Sequence, residues 1–262
     1  IMIISISASI NSGKDLTGQI IQYLMARKLR GVKYPISEDD FNTFIKNNHH
    51  LTCSWQIKKF ADKLKDMVCM MLNCTREQLE DRVFKDTPLG EEWDKWKVTN
   101  NDPDCWGEYY FSNEEDALFS ITDDGELYHA FNPIIEKIKM TPRLLMQLLG
   151  TEAGRNIIHP DLWCICTMSE YNPDSKWIIT DNRFPNEVKA VKRKNGLTLR
   201  IERDFNLRFP DYQSLEEVNT KNIDLYNQLT HFSETALDNY TEFDYVIQNN
   251  GTILDLIKNI EN

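Results

Sequence analysis

Residues 7–17 read Ser-Ala-Ser-Ile-Asn-Ser-Gly-Lys-Asp-Leu-Thr. A lysine behind a glycine, followed by an oxygen-bearing side chain, is equipment for gripping phosphate. Successive backbone N–H groups can curl around phosphate oxygens, and the start of a following helix adds its positive end. Gly13 keeps a side chain out of the ligand's way, and Lys14 brings a point charge that reaches the outer phosphates of a nucleotide. Asn11, Ser12, Gly13, Lys14 and Asp15 make up the expected cradle. Against the usual pattern G-x-x-x-x-G-K-[ST], two letters differ. Ala8 stands for the first Gly, which is tolerable where that position has no need of positive φ. Asp15 stands for the final hydroxyl residue. A carboxylate is a hard oxygen ligand suited to Mg²⁺, and Asp is equally a good helix N-terminal cap.

Such a loop needs a strand before it and a helix after it. Met2–Ser7 reads as a short buried strand, and residues 15–30 as a helix with Leu16, Ile20, Ile21, Leu24 and Leu29 apolar. Residues 55–72 read as a second helix, with Ile57, Phe60, Leu64, Val68 and Met71 on one face. Thr141 and Pro142 open a helix over 141–158 as N-cap and first helical residue. Further on, strands at 176–180, 197–202 and 243–248 alternate with helices at 185–194 and 252–260. That alternation predicts an α/β fold with a parallel sheet covered on both faces. Residues 75–133 are richer in acids, aromatics and turn residues and read as an inserted subdomain, with 117–131 as a hairpin around Asp124-Gly125. Trp93, Trp96 and Trp106 within it suit either a small ancillary core or an aromatic cage.

The net charge of −11 argues against a polynucleotide partner, because duplex binding calls for a basic face. Small phosphorylated ligands need only a few aimed amides and cations. No apolar run is long enough to span a bilayer, and the N-terminus does not read as a secretion signal; Met2 reads as the natural start behind Ile1. The six cysteines form no C-x-x-C pair and no zinc-site spacing, so reduced thiols in a cytoplasmic protein are expected. His49-His50 reads as a surface loop rather than a metal site.

Four more segments carry a family likeness: FADKLK at 60–65, TPRLLMQLLGTEAGRN at 141–156, WIITDNRFPNEVKAV at 177–191 and HFSETALDN at 231–239. In this order, and together with the Ser-Gly-Lys-Asp loop, they resemble the phage-type deoxynucleoside monophosphate kinases. The resemblance touches most of the chain except 75–133 and parts of 205–230. Animal-type phosphomevalonate kinases share the Ser-Gly-Lys-Asp loop and a similar D-x-R segment. The resemblance implies a single P-loop kinase domain over 1–262, with a three-layer fold and a parallel sheet core. It also implies ATP as phosphoryl donor with Mg²⁺, a deoxynucleoside monophosphate as acceptor, and a homodimer.

Phosphoryl transfer asks for an acceptor held in line, neutralised charge and excluded water. Within that chemistry, Lys14 holds the donor, and Asp15 and Asp181 are candidate Mg²⁺ ligands. Asp181 alternatively caps the turn before Phe184-Pro185. Arg183 neutralises acceptor phosphate, or makes a surface ion pair. Arg143 and Gln147, four apart on one helix face, suit a phosphate and a base edge, or form an exposed polar stripe. Lys65 and Glu152 complete the acceptor candidates, though Glu152 can equally pair with Arg155. Phe60 is either a ring against the base or core. Arg203 and Arg208, with Arg200 before them, suit a lid over about 200–212. His231, Ser233 and Glu234 carry no assigned role. A kinase of another small phosphorylated acceptor and a non-catalytic nucleotide-binding protein are the competing functions.

Overall fold

The computed structural model describes residues 2–100, 107–119 and 134–261. These residues divide into two compact units, one comprising 1–63 with 161–262, the other 64–160. Among the described residues there are eight strands: β1 (Ile3–Ala8), β2 (Trp55–Lys58), β3 (Lys95–Asn100), β4 (Gly107–Phe111), β5 (Ile134–Ile138), β6 (Lys176–Ile179), β7 (Leu197–Glu202) and β8 (Tyr245–Gln248).

The first unit is built on a five-stranded sheet of order β2-β6-β1-β7-β8, parallel throughout. β1 is central and buried along its whole length. Its alternation sends Ile4, Ile6 and Ala8 to one face, where they pack with Ile21, Trp55, Ile178, Leu199 and Ile201. Ile3 goes to the other face, with Phe60, Cys164, Ile179, Ala190 and Val191. Each isoleucine, leucine, valine or phenylalanine among them, removed from water, contributes roughly 1.5–3 kcal/mol. A parallel sheet with both faces covered by helices is the expected α/β class. Ser5 and Ser7 share the face of Ile3 and are also fully enclosed. They are tolerated because Asn182 Nδ2 donates to Ser5 Oγ at 3.0 Å and Arg200 Nη1 to Ser7 Oγ at 3.0 Å.

Helix Lys14–Arg30 follows the loop after β1 and buries Ile20, Ile21 and Tyr23. It stops at Gly31, whose left-handed φ of 64° lets Val32 N–H reach the Arg27 carbonyl at 3.1 Å. On the other face lie helices Leu162–Ser169 and Pro185–Lys192. Helix Ile253–Glu261 joins Ile20, Tyr23, Phe41 and Phe44 in a third core cluster.

The expected helix over 55–72 is corrected. Residues 55–58 are β2, paired in register with β6 from Trp55↔Lys176 to Lys58↔Ile179, and the helix begins only at Asp62. Apolar residues spaced three and four apart suited one long helix, but Trp55 and Ile57 also alternate, and the open edge of β6 settles the choice.

The second unit holds an antiparallel sheet of order β4-β3-β5. Its core gathers Val68, Leu79, Met140 and Leu145, with Trp93 packed against them. Residues 114–119 form a helix, which overturns the strand expected to start at Ala117; the rest of the expected hairpin, and Trp106, lie outside the described residues. Helix Pro142–Gln147 opens as read, with Thr141 Oγ1 accepting from Leu144 N–H at 3.2 Å. From Leu148 to Ile158 the coil widens to i→i+5 bonding, ending with His159 N–H on the Gly154 carbonyl at 3.0 Å. Gly150 and Gly154 are buried there, and a Cβ on Gly150 would stand 2.8 Å from Leu64 Cδ2. No helix among the described residues is long and apolar enough to cross a membrane.

Candidate active site

Because β1 lies between β6 and β7, the segments leaving the carboxyl ends of these three strands meet at one edge of the sheet. Open α/β sheets bind their ligands at such an edge. The segment after β1 is the phosphate-type loop. Asn11 has φ 61° and Gly13 φ 89°, so the backbone turns sharply before entering the helix, with Ser12 N–H donating to the Ser9 carbonyl at 3.2 Å. The first helical turn is closed by Thr17, whose N–H and hydroxyl reach the Gly13 carbonyl at 2.9 and 3.0 Å. Ala8 completes β1 opposite Ile201, in ordinary strand conformation, so its methyl group causes no conflict.

Lys14 is half-buried at the helix start. Burial pushes its ammonium below the ordinary lysine value, and Arg183 pushes the same way, while Glu234, Asp15 and Asp181 pull it back. Three of the sequence candidates (Asp15, Asp181 and Arg183) thus act on the Lys14 charge. Asp15 remains 63% exposed; its Oδ1 faces Lys59 Nζ at 3.1 Å and accepts from Thr180 Oγ1 at 3.1 Å.

Asp181 follows β6. Its two oxygens accept from Phe60 N–H at 2.8 Å and Ala61 N–H at 3.0 Å. Burial pushes this carboxyl upward, while the two amide donors, Arg183 and Lys59 act in the opposite sense. Asp181 thus ties the ends of β2 and β6 together. Phe60, the other candidate from that stretch, is 1% exposed and belongs to the core.

Arg183 is held at both ends. Its backbone N–H donates to Glu187 Oε2 at 2.7 Å, and its guanidinium pairs with Glu234 and donates to Ser233 Oγ at 3.4 Å. Arg200, on β7, reaches back to Ser7, to Ser9 Oγ at 3.4 Å and to Asp238 at 3.4 Å. Arg208 lies on a four-residue helical turn, Phe205–Arg208, against the loop: it donates to the Ile10 carbonyl at 3.4 Å, and its own carbonyl accepts from Asn11 Nδ2 at 3.3 Å. Burial lowers its pKa, as does Arg200, against the pull of Asp238. Arg203, on the same connection, has an enclosed Nε.

Lys65, Arg143, Gln147 and Glu152 belong to the second unit. There Lys65 pairs with Glu80. Arg143 makes a two-pronged contact with Asp86, Nε to Oδ1 at 2.5 Å and Nη2 to Oδ2 at 3.0 Å. Glu152 accepts from Asn156 Nδ2 at 3.0 Å. Arg143 and Gln147 do share an α-helical turn, while Glu152 lies in the wider coil.

Sequence reasoning passed over Lys59, Thr180 and Asn249. Asn249, just beyond β8, is 4% exposed and donates through Nδ2 to the Ser12 carbonyl at 2.9 Å. An Asn-Asn-Gly run closing a strand was the available signal.

What this edge can do is hold a chain of phosphates: a tight loop opening a helix, the cations Lys14 and Arg183, and the exposed carboxylate of Asp15. The curated deoxynucleoside-5'-monophosphate kinase of Escherichia phage T5 is 28% identical over 169 residues, 58% of this chain. The chain is similar to a phage nucleotide kinase. The resemblance read from the sequence segments agrees with this match, which spans 65% of that kinase's own length. No family model matches the chain. The crystal structure of TT1252 from Thermus thermophilus aligns over 99% of this chain and 94% of its own, at 14% identity and a TM-score of 0.38. At that level it bears on neither fold nor function here.

Proposed function

We propose that the protein transfers the γ-phosphoryl group of ATP to a deoxynucleoside 5'-monophosphate, yielding the diphosphate and ADP. An oxygen of the acceptor's phosphate bonds to the γ-phosphorus as the bond to the β-phosphate oxygen breaks. One observation carries the reading: the segment that holds Lys14 after β1 is joined to the segment that leads from β6 to Arg183, by Thr180 Oγ1 donating to Asp15 Oδ1 at 3.1 Å. This supports a donor-phosphate grip and a second cation for the transferring group at the ligand edge of the sheet.

The loop amides of 11–15 and Lys14 hold the β- and γ-phosphates. Arg183 neutralises charge that spreads over the transferring oxygens. The donor set fits Mg²⁺, which binds through one or two carboxylates plus phosphate oxygens: Asp15 is exposed beside the loop and would hold the ion, which would supply neutralisation of phosphate charge. Asp181, the other candidate metal ligand, serves the sheet edge in this reading, since both its oxygens accept from backbone amides. Arg203 and Arg208 are the lid candidates, with Arg208 already on the loop.

Lys65, Arg143, Gln147 and Glu152 remain the proposed acceptor contacts on the strength of the family resemblance. For Arg143 and Lys65 the role requires leaving Asp86 and Glu80. A homodimer and a cytoplasmic setting supplying DNA precursors during phage replication complete the proposal.

The test is purified protein with ATP, Mg²⁺ and each of the four deoxynucleoside monophosphates, with ADP and the diphosphate both quantified. Turnover on at least one acceptor is expected. Bound ATP with no diphosphate from any of the four would overturn the assignment.

A further inference from the structure

The segment His231–Glu234 stood in the sequence without a role. In the structure it is the holder of Arg183. Glu234 has only 9% of its side chain exposed, and its Oε1 pairs with Arg183 Nη1. The neighbouring Ser233 Oγ accepts from the same nitrogen at 3.4 Å. The short helix that presents them, Phe232–Thr235, is capped from its own side: Ser233 N–H donates to His231 Nδ1 at 3.2 Å, and Ser233 Oγ stands 2.9 Å from that nitrogen. A backbone N–H only donates, so Nδ1 is the accepting nitrogen of this ring. Phe232 sets its ring 5.8 Å from that of Phe184, beside Arg183.

We propose that Glu234 is a positioning residue for phosphoryl transfer, fixing the Arg183 guanidinium at the ligand edge of the sheet, with His231 and Ser233 shaping the turn that delivers it. The inference rests on the kinase reading above. Three facts support it. Arg183 is 38% exposed on its own side chain, so nothing but its partners keeps the long arm in one rotamer. Its backbone is fixed independently by Glu187, so a dedicated second contact at the guanidinium governs only where the charge sits. The turn that carries Glu234 is itself fixed, by the bond from Ser233 N–H to His231 Nδ1 at 3.2 Å, so the carboxylate has a set position from which to hold the guanidinium.

A double-mutant cycle tests it, using wild type, Arg183→Ala, Glu234→Gln and the pair, with ATP affinity, kcat and thermal melting measured on each. Glu234→Gln is expected to lower kcat on the order of 10²-fold, the scale of a misplaced catalytic group, with ATP affinity and melting held close to wild type. Arg183→Ala is expected to cost on the order of 10²-fold or more in wild type, and at most about threefold in the Glu234→Gln background, because the two act as one unit. Glu234→Asp, which keeps the charge, is expected to recover part of the loss. If Glu234→Gln melts early, the Glu234→Asp and Arg183→Ala cycle reads the same coupling. Equal losses from Arg183→Ala in both backgrounds of an active enzyme would overturn the positioning role and leave the kinase reading intact. Absence of turnover in wild type would instead remove the reading on which it stands.

Discussion

Asn249 Nδ2 donates to the Ser12 carbonyl at 2.9 Å and stands 2.6 Å from where a Cβ would lie on Gly13. The loop is thus pinned from β8, the far side of the sheet from β6, by a side chain that only a glycine at 13 admits. Gly13 also has φ 89°, a left-handed conformation costing other residues about 1–2 kcal/mol. Gly13→Ala is therefore expected to weaken ATP binding and to lower stability by a few kcal/mol on the scale of strain plus a lost hydrogen bond. Adding Asn249→Ala relieves the clash and leaves the strain, so it should recover part of the stability and none of the affinity. Calorimetric ATP titration and urea unfolding of the two variants read this directly.

Lys14→Ala is expected to remove turnover, by on the order of 10²–10³-fold or more, without loss of the fold. Burial lowers the pKa of Lys14, so in the folded protein it sheds its proton earlier than a free lysine does as pH rises. For ATP affinity the consequence is a decline at alkaline pH that begins below the ordinary lysine value of 10.5. For folding the sign is opposite. Between the folded and the unfolded pKa the unfolded chain binds more protons, so this group makes stability rise with pH across that window. Affinity and unfolding free energy measured from pH 7 to 10, in wild type and Lys14→Met, separate the two effects; a pH-independent affinity in wild type contradicts the first.

Asp15 and Asp181 differ in role by their partners. Asp15→Asn is expected to raise the Mg²⁺ concentration needed for half-maximal turnover severalfold while melting stays near wild type. Asp181→Asn sets an amide NH₂ against a backbone N–H and should destabilise by about 1–3 kcal/mol, with the Mg²⁺ requirement little changed among molecules that remain folded. Interchanged phenotypes would reverse the assignment.

Glu80 offers an acid-side test in the second unit. Burial pushes its carboxyl up, but Lys65 and Lys85 outweigh that and hold it at about 2, against 4.5 for an ordinary glutamate. A depressed carboxylate lends stability above the unfolded value and loses it as pH falls through the folded one. The stability gap between wild type and Glu80→Gln should be full above pH 4.5 and shrink progressively toward pH 2. Because 45% of the Glu80 side chain meets solvent, the gap should be small and should narrow further in high salt.

The α/β alternation was legible because each strand buried on both faces is a short β-branched run set between amphipathic stretches. The Ser-Gly-Lys-Asp loop was legible because its chemistry is local in sequence. Lys59, Thr180, Glu234 and Asn249 were not, since each acts on a group far along the chain: Thr180 on Asp15 from 165 residues away, Asn249 on Ser12 from 237. β2 was hidden by a periodicity that two structures satisfy, and only the partner strand decides between them. The widened coil after Gln147 left no mark in the apolar pattern; its two buried glycines mark it only in retrospect.

β1 finds its two neighbours in β6 and β7, from Ile3↔Trp177 on one side to Ala8↔Ile201 on the other. A ribosome therefore releases the loop after β1 long before it has made anything for the adjoining strand to pair with. Until the last third of the polypeptide emerges, a sticky apolar ribbon waits with both edges bare, so assembly must follow synthesis, and an amino-terminal fragment ending near residue 160 inherits the cradle's letters without its grip.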